Sequence, residues 1–200
     1  MRKHPFEGVK VVDLAGYIAG AYASGLLADM GAQVVKVESW EGDAFRGIGP
    51  GFQSWNRGKR GIVLNLRTDE GREVLYRMVR EADVVLETYA PGFMASLGLD
   101  YTSLSESMPR LIMTPLTAFA QPGPYRDYKT SDLVAMAMGG PMASCGYDDL
   151  PGAPPIRCDG WPGYMTGCHY AVVATMAAIL SRNFTGQGQH VDVSLHEALA

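Results

Sequence analysis

Short runs rich in β-branched residues recur along this chain, each separated from the next by a stretch with helical spacing, and that alternation restricts the fold more than any other feature. The runs fall at residues 9–15, 33–38, 62–66, 83–88 and 110–115. Between the first two lies a small-residue stretch that carries Gly16 and Gly20 and ends near Met30 and Gly31. Roughly 30 residues thus hold a strand, a helix and a strand, the usual size of a right-handed parallel crossover. Thr68, Asp69 and Glu70 form a helix start, after which Val74, Leu75, Met78 and Val79 share one face. Strands alternating with amphipathic helices imply an α/β fold, a Rossmann-like open and mostly parallel sheet with helices on both faces.

Composition sets the limits of this fold. A chain of 200 residues with 47% hydrophobic content buries a core of about one domain's size. The formal charge of -4 leaves no broad basic field, so neither nucleic acid nor a membrane is expected as a partner. Cys145, Cys158 and Cys168 have neither the even count of a secreted framework nor metal-ligand spacing. They read as three separate, inert thiols in a reducing, cytoplasmic setting. The start of the chain lacks the apolar stretch of a signal peptide. The uncharged run 165–180 falls short of the roughly 20 residues a membrane span needs and contains Gly167 and His169, so a buried helix is expected, with His169 as a hydrogen-bonded core residue. Two long connections, 41–60 and 141–162, are long enough to be functional.

The first strand-to-helix turn, with Glu38 ending the next strand, invites a dinucleotide reading. Its glycines, Gly16 and Gly20, are four apart and do not form GxGxxG, which argues against a nicotinamide cofactor. Backbone N–H groups at the helix start favour a phosphate all the same. Lys59, Arg60 and Arg67 are either phosphate ligands or a solvated charge cluster that secures the fold. None of the histidines shows metal-ligand spacing, and no metal site is expected.

Four motifs carry more than their separate parts. They are N-x-x-K-R over 56–60, L-R-T-x-E-G over 66–71, E-x-Y-x-P-G over 87–92 and T-G-x-G-Q-x-V-D-V-S over 185–194. In this combination the chain resembles the class III (family III) CoA-transferases, the group that includes formyl-CoA:oxalate CoA-transferase, carnitine CoA-transferase and α-methylacyl-CoA racemase. The resemblance runs from about Val9 to the end. Members are roughly twice this length, so residues 1–200 correspond to the N-terminal part of the large CoA-binding domain, with the small domain and the C-terminal return segment outside it. The resemblance further implies an interlocked homodimer and an acyl-CoA and a carboxylic acid as substrates. No permanently bound cofactor is implied, the coenzyme A thioester itself being the substrate. It places Ile18, Ala19, Ser39, Leu66, Arg67, Thr88, Tyr89, Ala90, Lys129 and Ser131 against coenzyme A. Thr88 stands where the family has Asn, and Ser96 where formyl-CoA:oxalate CoA-transferase has Arg. Ser131 replaces the racemase branch's histidine base, and an unaided serine does not abstract such a proton, so racemization falls behind transfer.

Transfer in this family runs through an Asp nucleophile and an aspartyl anhydride. Here the acid ahead of the apolar helix is Asp159, placed before Gly163 by the family's D-x-x-x-G interval. Counting without gaps puts the family's Asp at Gly163 or Tyr164 instead. Either the loop is rearranged so that Asp159 reaches the thioester, or this copy has lost its nucleophile and is a CoA-binding homologue or one half of a two-domain enzyme whose other half does the chemistry. A Tyr164 phenol is a poor substitute, since its pKa near 10 leaves little phenolate at neutral pH.

Overall fold

The structure is a computed structural model that describes residues 4–48, 50–147 and 149–200. Its six strands are β1 (Lys10–Leu14), β2 (Gln33–Glu38), β3 (Arg60–Val63), β4 (Val84–Glu87), β5 (Ile112–Thr117) and β6 (Val193–Ser194). All pairs are parallel, in the order β3-β2-β1-β4-β5-β6. Strand order reverses between β1 and β4, and a ligand crevice is expected beyond the carboxyl ends of those two strands. The third strand begins at Arg60 rather than Ile62; it is the sheet edge, where burial gives little reason for an unbroken apolar run.

Helices α1 (Tyr17–Asp29), α2 (Gly51–Asn56), α3 (Asp69–Arg80), α4 (Phe93–Ser96), α5 (Tyr101–Ser105), α6 (Asp132–Met138), α7 (Pro162–Thr185) and α8 (Leu195–Leu199) cover the sheet. One core joins β1, β4 and β5 to α1 and α7 through Val11, Ala23, Val84, Ile112 and Ala171. The other, on the opposite face, gathers Val12, Val85, Leu75, Val79 and Leu104. Helix α3 starts as its sequence implies: the Thr68 hydroxyl accepts from the Gly71 amide at 3.1 Å, with Asp69 and Glu70 in the first turn.

Gly20 lets α1 lie directly on the sheet, because a Cβ there would fall 1.9 Å from the Ala15 Cβ and 2.8 Å from Thr88 Cγ2. The glycines of T-G-x-G divide the work after α7. Gly186 closes the helix at φ 74°, and Gly188 lets the chain pass the Leu111 carbonyl, 1.8 Å from where a Cβ would sit.

Helix α7 is only half buried, which corrects the expectation of a buried helix. Cys168, Ala171, Val172 and Ile179 face the core, while Tyr170, Val173, Leu180 and Phe184 lie on the solvent side. His169 is exposed too, with its Nε2 3.4 Å from the Tyr22 hydroxyl. Near the other end of α7, Arg182 is buried. It pairs with Asp83 at 2.9 Å and donates to the Asp83 and Arg110 carbonyls, which ties α7 to the start of β4.

Candidate functional site

The crevice opens where the strand order predicts. It has a volume of about 470 Å³ and is walled by Gly16, Tyr17 and Ala19 from the β1–α1 turn, Thr88, Tyr89 and Ala90 after β4, and Tyr164 from the first turn of α7. The segment between β5 and α6 adds Arg126, Tyr128 and Lys129. Tyr89 also lines a second hollow of about 280 Å³ beside it, together with Ser39, Leu66, Arg67 and Phe93. Tyr89 and Phe93 stand with ring centroids 4.5 Å apart. With Tyr89 common to both walls, the two hollows adjoin along one groove.

The β1–α1 turn is held by buried charge. Lys59 Nζ is nearly inaccessible and has four acceptors around its three N–H groups: Asp13 Oδ2 (3.0 Å), Ser24 Oγ (2.7 Å), Asn56 Oδ1 (2.8 Å) and the Ala21 carbonyl (2.8 Å). Burial lowers the Lys59 pKa and the Asp13 carboxylate opposes that drop. Lys36 Nζ meets Asp43 at 2.9 Å and the Ala15 carbonyl at 2.6 Å. Tyr17 is held in the left-handed region at φ 60°, with its amide donating to Asp43 Oδ2 at 3.3 Å. A non-glycine residue persists there only where its surroundings fix it. Gly16 donates to Thr88 Oγ1 at 3.0 Å. Thr88, which replaces the family's Asn, thereby fastens the turn to β4.

These contacts sort the expected site residues. Ala19, Thr88, Tyr89, Ala90 and Lys129 meet in the crevice, while Ser39, Leu66 and Arg67 join Tyr89 in the adjoining hollow. Ile18 is fully buried, so its side chain is core. Ser131 caps α6, its hydroxyl accepting from the Val134 amide at 3.3 Å, and does not line the crevice. Lys59 secures the fold and has no room for a phosphate. Arg60 opens β3 and lines a groove at the amino ends of the strands, away from the crevice. The amides of Gly16 and Tyr17 donate to Thr88 and Asp43, which fixes the entry into α1.

Asp159 stands apart. It is exposed and accepts from the Gly160 amide at 2.8 Å, in the tight turn that an Asp-Gly pair favours. Tyr164 occupies the crevice wall instead, its ring 5.9 Å from Tyr17, and burial raises its pKa further from neutrality. The carboxylate packed under the start of α7 is that of Asp132, which is buried and accepts from the Tyr164 amide at 2.9 Å. Tyr17, Arg126 and Tyr128 are crevice residues that the motifs do not single out. The Pro122-Gly123-Pro124 turn ahead of Arg126 points to the segment of Arg126 and Tyr128, and the glycine turn at Gly16 to that of Tyr17.

A parallel sheet in the order β3-β2-β1-β4-β5-β6, with hollows beyond the carboxyl ends of its strands, defines a Rossmann-like α/β protein. Comparison narrows the class. The family described as CoA-transferase family III matches residues 6–200, and the chain belongs to that family. It is 40% identical over 209 residues to succinate–glutarate CoA-transferase of Agrobacterium fabrum, covering 97% of this chain and 52% of the relative. It is 36% identical over 202 residues to formyl-CoA:oxalate CoA-transferase of Streptomyces avermitilis, covering 96% and 48%. Among solved structures, a CAIB/BAIF family protein from Brucella suis superposes with a TM-score of 0.92 at 38% identity, covering 99% of this chain and 55% of that one. The chain spans about half the length of the curated relatives it matches.

Proposed function

We propose that this protein binds an acyl-CoA in the groove and takes part in moving coenzyme A from that thioester to a free carboxylic acid. The observation that carries this reading is the convergence of Ser39, Leu66, Arg67, Thr88, Tyr89, Ala90 and Lys129 along one groove. The nucleotide end lies by Arg67, whose guanidinium suits phosphate, and the thioester end by Tyr17, Tyr164 and Lys129. In the transfer step a carboxylate attacks the thioester carbonyl, the C–S bond breaks, CoA leaves as thiolate and an acyl-carboxylate anhydride remains. Asp159 takes that role when it leaves the Gly160 amide and its turn swings toward the crevice.

A second reading, binding without transfer, is favoured by the solvent-facing position of Asp159 and by a tyrosine in the crevice wall. The exposed apolar stripe of α7 supports assembly with a second copy of the chain, and the odd cysteine count supports a cytoplasmic setting. One experiment separates the readings: incubation with acyl-CoA donors, trapping with hydroxylamine, and location of any hydroxamate by mass spectrometry. A hydroxamate at Asp159 supports transfer. CoA binding with no modified carboxylate selects the binding-only reading, and absence of CoA binding overturns both.

A further inference from the structure

Two of the three cysteines, which their spacing presents as separate, meet in space. Cys145 Sγ and Cys158 Sγ lie 3.5 Å apart although the residues are 13 positions apart in sequence. They close the base of an exposed loop whose two legs run side by side, the Ile156 amide donating to the Cys145 carbonyl at 3.1 Å. Cys158 is exposed and directly precedes Asp159. Beyond that turn the segment is tied to the crevice wall: the Arg157 guanidinium sits 5.3 Å from the Trp161 ring, and Trp161 meets Tyr17 edge-on at 6.1 Å.

We propose that Cys145 and Cys158 form a reversible dithiol–disulfide couple that fixes the loop leading into the Asp159 turn. Closure from 3.5 Å to a bond of about 2.05 Å asks for a small shift in an exposed loop. With a glutathione-type disulfide as oxidant, one cysteine thiolate attacks a glutathione sulfur and releases one glutathione. The second cysteine then attacks the mixed disulfide and releases the other. Two cysteine protons and two electrons pass to two glutathione thiols. Cys168 supplies an internal control: it is buried against the Ala19 carbonyl, and burial pushes its thiol up to about 12, which leaves it almost no thiolate. Formation of the couple does not depend on any CoA chemistry. Only its consequence for transfer rests on Asp159 as nucleophile.

The test is equilibration of the protein in oxidised and reduced glutathione at neutral pH, followed by acid quench, alkylation under denaturing conditions and peptide mapping. The expected result is loss of two of the three alkylatable thiols, a linked peptide joining Cys145 to Cys158, and full recovery on reduction. Trypsin provides a second readout, because cleavage after Arg157 leaves two fragments that stay joined until reductant is added. Cys145→Ser is expected to stop at a glutathione adduct on Cys158. Stable glutathione adducts on the wild-type pair, three thiols persisting under strong oxidation, or covalent dimers linked through Cys158 would each overturn the proposal.

Discussion

Two loops reach the same crevice and are held in opposite ways. The β1–α1 turn is braced by the buried pairs Asp13–Lys59 and Lys36–Asp43, and its Tyr17 stays in an unfavourable backbone region because Asp43 holds the amide. The described residues of the connection 141–161 are mostly exposed, and its Asp159 accepts from the next residue's amide. The difference teaches that the groove walls are held by buried charge pairs, whereas the segment expected to bring chemistry is held by surface contacts of Arg157 and Trp161.

Breaking the charge-paired side is expected to have the largest effect. Lys59→Ala leaves Asp13 buried without its cation and is predicted to cost about 3–5 kcal/mol, read as a fall in the urea midpoint with an unchanged slope. A midpoint near that of the parent would show that the turn does not depend on the pair.

Glu87 sharpens the comparison through pH. It is buried at the end of β4, just before Thr88 and Tyr89, and burial pushes its carboxyl up to about 7, with the Tyr89 amide pulling the other way and Asp192 adding to the rise. The folded state thus holds a proton that the unfolded chain has lost above about 4.5. This group's contribution to stability is full below that pH and falls as pH rises to about 7, by on the order of 3 kcal/mol. Glu87→Gln is predicted to flatten that part of the stability profile. An unchanged slope between pH 4.5 and 7 would place the proton elsewhere.

The side held at the surface is expected to respond least. Asp159→Asn is predicted to shift stability by no more than about 0.5 kcal/mol and to leave CoA affinity unchanged while abolishing hydroxamate formation. A marked loss of stability in chemical denaturation would mean that the loop is a structural brace.

The sheet was legible because parallel strands buried on both faces spell themselves as β-branched runs, and α3 because Thr68 and its acids mark a helix start. Groove residues such as Tyr89 and Arg67 were placed by the motifs that carry the family resemblance, not by any periodicity. Lys59 was harder: a cation in a basic cluster looks solvated until the fold folds it back onto Asp13, 46 positions away. Ile18 and Ser131 are placed against the ligand by the resemblance, and in the structure the Ile18 side chain is core while the Ser131 hydroxyl caps α6. The Cys145–Cys158 approach depends on a loop path that carries no periodic signal. The exposed stripe of α7 was hidden because a uniformly apolar helix has no polar face to mark its solvent side.

The central claim is that the carboxyl edge of β1 and β4, and not the apolar groove at the opposite edge, receives the CoA thioester. Hydrogen–deuterium exchange with and without saturating acyl-CoA tests it most directly. Slowed exchange is predicted in the segments around Tyr17 to Ala19, Ser39, Leu66 to Arg67, Thr88 to Ala90 and Lys129. Protection confined to the segments around Lys10, Gln33 and Arg60, which line the opposite groove, or no protection anywhere, would contradict it.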